Sequence, residues 1–206
     1  MIGLIQHTLL HMLDNSGVAG ARAEVLRRVG LPEDTHFRID TDYDDLQADA
    51  LLEQTCAVLN LTREQAFQAF ASAFLADTRT RFPAFYAMST DSRAFLARQA
   101  AIHNVMASGL RNPSRRRQIN DKFHIAALGD GDLRVHYNSP RGWCGLYLEL
   151  AREVAHFYGD QLEVTVDQCR QRGDGQCVFQ LHWPALVAPM AIVTDPAVAS
   201  PAKESL

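Results

Sequence analysis

The chain has 206 residues, which is enough for one sizeable domain and too few for a second full domain. With 47% hydrophobic and 21% charged residues, its composition is that of a globular protein with a core. A net charge of −4 gives no indication of binding to nucleic acid or to an acidic membrane surface. No stretch approaches the roughly 20 apolar residues that a membrane-spanning helix needs. We therefore expect neither nucleic acid nor a membrane as a partner.

The first two thirds of the chain have helical periodicity. The N-terminal segment, residues 2–15, carries Gln6, His7 and His11 among its apolar positions and has no basic region before them. It therefore predicts an amphipathic helix of a cytoplasmic protein rather than a signal peptide. Further helices are predicted over residues 21–29, 44–59, 62–76 and 92–110, the last of them closed by an Asn-Pro pair.

The pattern then changes to short alternating segments. Residues 122–128 and 133–139 flank a Gly-Asp-Gly-Asp turn and predict a β-hairpin, and residues 162–169 and 177–183 predict a second one. Residues 142–158 return to helical periodicity between the two hairpins. Helices first, then an antiparallel sheet with an inserted helix, indicate an α+β domain over residues 1–183. Residues 184–206 lack periodicity, and we expect a disordered tail there.

His103 lies in the middle of an apolar stripe. Leu96, Ala100, His103, Ala107 and Leu110 follow one another at spacings of four and three, which places them on one helix face. The two alanines leave room for a flat group beside the imidazole. A lone histidine in such a stripe is more often a core residue with one hydrogen bond. The stripe alone therefore leaves both a core role and a ligand role open.

Three polar side chains alternate along the segment that ends the first hairpin. Tyr137, Ser139 and Arg141 point the same way if the chain is extended, and Pro140 favours that geometry at Ser139. We call these three residues the carboxylate triplet, after the groups that they could bind. Two hydroxyls and a guanidinium on one face can bind a pair of carboxylates, with Arg141 binding in a bidentate manner. Taken alone, the same pattern also fits a solvated strand end.

Together, His103 and the triplet resemble the bacterial H-NOX (heme-nitric oxide/oxygen binding) family. In that family Y-x-S-x-R binds the heme propionates, and an axial histidine lies some thirty residues upstream; here the separation is 34 residues. The resemblance extends over residues 1–183. It implies that Ile5 packs against the heme and that Pro113 acts like the family proline that distorts the porphyrin. It further implies heme b between the helical part and the sheet, with His103 as the iron ligand.

The resemblance also implies a sensor rather than an enzyme, and the sequence offers no catalytic nucleophile or hydrolytic metal site. Heme iron held by a neutral imidazole leaves a position open for nitric oxide or CO. Oxygen-binding members have a tyrosine where this chain has Leu146, and Tyr147 is expected to turn about 100° away. The resemblance therefore implies a nitric oxide sensor that excludes oxygen. Stand-alone members signal to a separate histidine kinase or cyclic-di-GMP enzyme.

The cysteines leave several interpretations open. Some H-NOX members hold zinc with three cysteines and a histidine; Cys144, Cys169 and Cys177 match the cysteines, but Val166 replaces the histidine. Three interpretations therefore remain open: a zinc site, a thiol pair or disulfide across the second hairpin, and simple packing. Cys56 is expected in the core.

Two functions compete with the heme sensor. One is a heme-free module that binds another hydrophobic carboxylate, and the other is a thiol or zinc redox switch.

The basic run at residues 115–117 is expected to be solvated, near a loop.

Overall fold

The computed structural model describes residues 3–129, 131–139 and 141–184, so the predicted tail lies outside the described residues except for Pro184. The N-terminal part of the chain is helical, and a four-stranded sheet follows. The helices are α1 (Leu4–Asp14), α2 (Ala21–Arg28), α3 (Asp45–Leu59), α4 (Arg63–Arg81), α5 (Pro83–Ala87), α6 (Ser92–Ala97), α7 (Gln99–Ala107), α8 (Pro113–Asn120) and α9 (Cys144–Tyr158). The strands are β1 (Phe123–Ala127), β2 (Leu133–Tyr137), β3 (Glu163–Gln168) and β4 (Cys177–His182). The predicted α+β class is confirmed.

Helices α3 and α4 begin within one residue of the predicted positions, and each has a side-chain cap. The Asp44 side chain accepts a hydrogen bond from the backbone N–H of Leu46 at 3.0 Å. Thr62 and Gln65 form a capping box, because each side chain accepts a hydrogen bond from the other residue's backbone N–H, at 3.2 and 2.9 Å. These caps satisfy N–H groups that have no partner within the helix. Helix α4 continues five residues beyond the predicted end, to Arg81.

The prediction of one helix over residues 92–110 was wrong. The structure has two helices, α6 and α7, with a break at Arg98, whose backbone N–H bonds to the carbonyl of Phe95 only three residues back. Helix α7 ends at Ala107. Pro113 does not end the helical region but begins α8, as the first-turn position of a helix allows. The sequence reasoning also missed α5.

Both predicted hairpins are confirmed, and they join into a single sheet. The strand order is β1-β2-β4-β3, with every neighbouring pair antiparallel. Leu133 pairs with Leu181, and Tyr137 pairs with Cys177, so the end of β2 lies beside the start of β4. Helix α9 connects β2 to β3, and residues of α9 share a buried core with the inner face of this sheet.

Two apolar clusters form the core. The helical cluster contains buried residues of α1 to α4 together with Trp143 and Leu146. The sheet cluster contains the inner face of the sheet, residues of α6, and Tyr147. Helix α9 thus contributes adjacent residues, Leu146 and Tyr147, to different clusters. Within the described residues, no helix has the length and apolar character needed to cross a membrane.

Candidate functional site

A cavity of about 150 Å³ is lined by residues of both clusters and by α7. Ile5 and Leu146 come from the side of the helical cluster, and Phe123 and Tyr137 come from the sheet cluster. We call it the apolar cavity because most of its lining is aliphatic or aromatic. His103 on α7 completes the lining of the cavity. The structure therefore brings Ile5, His103, Tyr137 and Leu146 of the predicted site to one space.

His103 presents an unpaired imidazole to the apolar cavity. Its ring lies 4.7 Å from the ring centre of Phe123, and neither ring nitrogen has a hydrogen-bond partner among the described residues. Burial, with a smaller contribution from the charge of Lys122, lowers the pKa of His103 to about 3. The imidazole is therefore neutral at physiological pH. A neutral imidazole with a free nitrogen is the form that binds a metal.

The carboxylate triplet is divided between two spaces. Tyr137 lines the apolar cavity, where burial raises the pKa of its hydroxyl against the opposing effect of a hydrogen bond with Ser139. Ser139 and Arg141 line a neighbouring polar cavity of about 450 Å³. The Arg141 guanidinium pairs with two carboxylates of α3: Nε lies 3.0 Å from Asp45, and Nη1 bonds to Asp49. The structure thus shows Arg141 engaged by carboxylates, although by those of the protein itself.

Lys122 and the acidic residues of α3 belong to this site and were missed in the sequence. Lys122 lines both cavities. Asp49 also accepts a hydrogen bond from the indole N–H of Trp143 at 2.7 Å. The four-residue spacing of Asp45 and Asp49 on one helix face was a usable signal for a basic partner. No sequence signal near Asp45 and Asp49 identified Arg141 as that partner.

The expectation that Tyr147 turns out of the pocket was wrong. Both Leu146 and Tyr147 line the apolar cavity. The Tyr147 hydroxyl is buried without a hydrogen-bond partner among the described residues, and burial raises its pKa. The ring stacks on Tyr137 and on Phe179, at centroid distances of 5.7 and 5.1 Å, so Tyr147 is held on the sheet side.

The N-terminal residues Gly3 and Ile5 lie close to the cavity wall, whereas Pro113 does not. Gly3, two residues before Ile5, packs tightly against the Arg38 carbonyl and the Tyr43 ring. A Cβ at this position would collide with both. This close fit positions α1, and with it Ile5, at the cavity. Pro113 is exposed at the start of α8 and lines neither cavity.

The basic run on α8 is not simply solvated. Arg115 pairs with Asp42 at 2.9 Å and with Asp45 at 3.4 Å, so the expectation of a solvated run was wrong for this residue. The run lies on a helix rather than near a loop because Asn112 caps α8 through the backbone N–H groups of residues 114 and 115. Helix α8 is thereby tied to α3.

Three cysteine sulfurs meet between α9 and the sheet. The Sγ atoms of Cys144, Cys169 and Cys177 all lie within 4.8 Å of one another, and the Cys144–Cys169 distance is 3.6 Å. All three are buried free thiols. Burial raises the pKa of Cys144 to about 12. At Cys169, hydrogen bonds from the Gln171 backbone and from the Cys144 and Cys177 side chains together outweigh burial and lower the pKa. Cys56 is half-buried against the helical cluster.

These residues fit a heme. An unpaired neutral imidazole faces an apolar space, and carboxylate-binding groups stand at its edge. The apolar cavity is smaller than the about 300–1,000 Å³ of a typical ligand pocket. Its walls therefore have to move apart to admit a porphyrin, and the polar cavity beside it can receive the propionates.

Comparison with known proteins agrees with this fold. The structure is similar to that of an H-NOX protein from S. oneidensis in the Fe(II) state, a triple mutant, with a TM-score of 0.75 and 18% identity over 89% of this chain and 96% of the other. The Fe(II)NO state of an S. oneidensis H-NOX protein gives a TM-score of 0.70 and 18% identity over 89% and 99%.

An oxygen-binding H-NOX domain related to soluble guanylate cyclases, solved as the oxygen complex, gives a TM-score of 0.73 and 14% identity over 89% and 95%. No curated protein matches the sequence. At these identities the similar structures establish the fold. The sequence profile of the haem-NO-binding family matches residues 2–166. The chain therefore belongs to the haem-NO-binding, or H-NOX, family.

Proposed function

We propose that residues 1–183 form a sensor domain that binds heme b through His103 and responds to nitric oxide. Domains of this family are sensors rather than catalysts. The observation that carries the proposal is the unpaired, neutral imidazole of His103 in the wall of the apolar cavity. When bound there, heme supplies an iron centre with one position open to a diatomic gas.

The chain's own residues hold the heme in distinct ways. His103 would hold the iron, and the carboxylate triplet would bind a propionate. Ion pairs with Asp45 and Asp49 hold the Arg141 side chain in place in the polar cavity. A propionate would share or replace those partners, as a guanidinium with five donors permits. Ile5 would pack against the porphyrin from the side of the helical cluster. Pro113, exposed in this structure, acts on the porphyrin only if α8 moves toward it.

The cavity wall supports a preference for nitric oxide and CO over oxygen. Bound oxygen carries partial negative charge and is stabilised by a hydrogen-bond donor. Ile5 and Leu146, on the side of the helical cluster, offer none. The nearby indole N–H of Trp143 is engaged by Asp49. Tyr147 has a free hydroxyl, but its ring contacts Phe123, the same ring that His103 contacts. We therefore place Tyr147 on the His103 side, away from the gas.

The test of the proposal is heme binding by a His103→Gly variant. The wild-type chain should bind one heme with a defined Soret band, and His103→Gly should bind poorly until free imidazole is added. His11→Gly is the matched control, because His11 is an exposed helical histidine on α1. An unchanged ferrous spectrum in His103→Gly, with no response to imidazole, would refute the assignment. Absence of any heme binding would favour a heme-free carboxylate-binding module.

The close approach of three sulfurs supports a second proposal, a zinc site at Cys144, Cys169 and Cys177. Zinc in structural sites takes four ligands, so a fourth ligand has to come from water or from another group. Protein purified without chelator should contain close to one zinc, which any one of the three Cys→Ser substitutions should remove. Cys56→Ser should retain it. Reduced protein without zinc would leave a thiol switch or simple packing.

The resemblance supports signalling to a separate protein. We propose a histidine kinase or a cyclic-di-GMP enzyme as that partner. His103 lies on α7, so a change in how its imidazole is held would act first on this helix, and we propose α7 as the origin of the signal.

A further inference from the structure

Lys122 stands directly across the hairpin from the carboxylate triplet. It precedes β1, and its carbonyl accepts a hydrogen bond at 2.8 Å from the backbone N–H of Asn138, the residue between Tyr137 and Ser139. The chain has only two lysines, Lys122 and Lys203, among its 20 basic residues. Lys122 therefore carries an ammonium in a chain whose other positively charged side chains, apart from Lys203, are all guanidinium groups.

The ammonium of Lys122 is a charge without a partner. Lys122 is the one charged residue among the described residues that line the apolar cavity, and it also lines the polar cavity. Its ammonium has no hydrogen bond or ion pair within the described part of the chain. Burial lowers its pKa, with Asp45 acting in the opposite direction. A half-buried charge that lacks a partner is costly, so the site favours an anion at this place.

The nearby arginines already have carboxylate partners within the protein, so neither offers an unpaired cation for a second propionate. Arg141 pairs with Asp45 and Asp49, and Arg115 pairs with Asp42 and Asp45. A porphyrin with two propionates brings two carboxylates to the edge of the apolar cavity. The triplet contains one cation, and Lys122, the residue before the opposite strand β1, is the cation that borders the same cavity.

We propose that Lys122 binds the second heme propionate, while Arg141, Ser139 and Tyr137 bind the first. This inference rests on the proposed heme function. It makes Lys122 a determinant of ligand class, since the site then requires two carboxylates on one flat apolar body. It also places a carboxylate beside the ammonium whose charge acts on His103.

The first experiment measures heme transfer from the full chain to apomyoglobin. Lys122→Met keeps the length and apolar stem of the side chain but removes the charge, and it should accelerate transfer roughly tenfold. Lys122→Arg keeps a cation and should remain close to wild type. Arg111→Met, at an exposed position before α8, is the matched control and should have no effect. With heme dimethyl ester, which has no carboxylates, wild type and Lys122→Met should become equal.

The second experiment uses acylation of amines followed by mass spectrometry. Heme should protect Lys122 from acetic anhydride, whereas heme dimethyl ester should leave it reactive; Lys203, outside the described residues, serves as the internal reference. Equal transfer rates for wild type and Lys122→Met, with a His103-dependent spectrum intact, would overturn the role of Lys122 and leave the proposed function standing. Loss of the His103 dependence itself would overturn both.

Discussion

The two walls of the apolar cavity are built differently. Helices α4 and α9 each bury six residues, and Gly145 on α9 approaches the Phe67 ring so closely that a Cβ would lie 3.1 Å from it. Helix α7 buries only Ala107 among its nine residues, and α8 buries none. Segments with few buried apolar contacts open at lower cost than the core. His103 therefore lies on the lightly packed wall, and Leu146 lies on the rigid one.

A pair of stability measurements would sharpen this contrast. Phe70 on α4 is 2% exposed, and Phe70→Ala should lower the free energy of unfolding by about 3–5 kcal/mol because it leaves a cavity. Val105 on α7 is 58% exposed, and Val105→Ala should change it by no more than about 0.5 kcal/mol. Urea denaturation of the heme-free protein measures both. Similar losses for the two variants would remove the distinction between the walls.

Gas binding tests the rigid wall with a smaller expected effect. Leu146→Tyr adds a hydroxyl on the side of the helical cluster, and Leu146→Phe is its control without the donor. A new hydrogen bond to bound oxygen is worth about 1.5–3 kcal/mol, or roughly 10- to 150-fold in oxygen affinity. Spectra of the ferrous proteins in air measure this. A stable oxygen complex of the wild type would contradict the preference and would direct attention to Tyr147.

Tyr147→Phe gives the smallest expected change. Its hydroxyl is buried without a partner among the described residues, so its removal should leave stability unchanged or raise it by about 1 kcal/mol. The nitric oxide and oxygen responses should both remain as in the wild type, since the ring lies on the His103 side. A marked loss of affinity for either gas in Tyr147→Phe would show that the hydroxyl reaches the ligand.

Local signals accounted for most of the elements. Helical periodicity predicted the starts of α3 and α4 to within one residue, and turn residues predicted both hairpins. The break at Arg98 had no such signal, because the segment around it contains neither glycine nor proline. There the guanidinium donates hydrogen bonds to Ser89 at 3.0 Å and to the sulfur of Met88 at 3.3 Å, contacts that depend on the folded path of the chain.

The site was predicted only in part for the same reason. The spacing along one helix and one strand drew attention to His103 and the triplet, but only the resemblance to the H-NOX family implied a heme-binding role for them. The partner of Arg141, by contrast, lies 92 residues away at Asp49. The placement of Tyr147 depends on rings from three different strands or helices that stack together. Such long-range pairs are set by tertiary packing, which periodicity does not record.

The break at Arg98 gives α7 the mechanics of a short lever. On one side of this pivot, α6 is fixed in the core by Phe95 and Leu96. On the other side, α7 extends for about 14 Å, so a rotation of roughly 10° displaces its far end by about 2 Å. That end leads into α8, whose Arg115 is paired with Asp42 beside α3. A small tilt of α7 at His103 would therefore be transmitted to the N-terminal helices as strain on the Arg115–Asp42 ion pair.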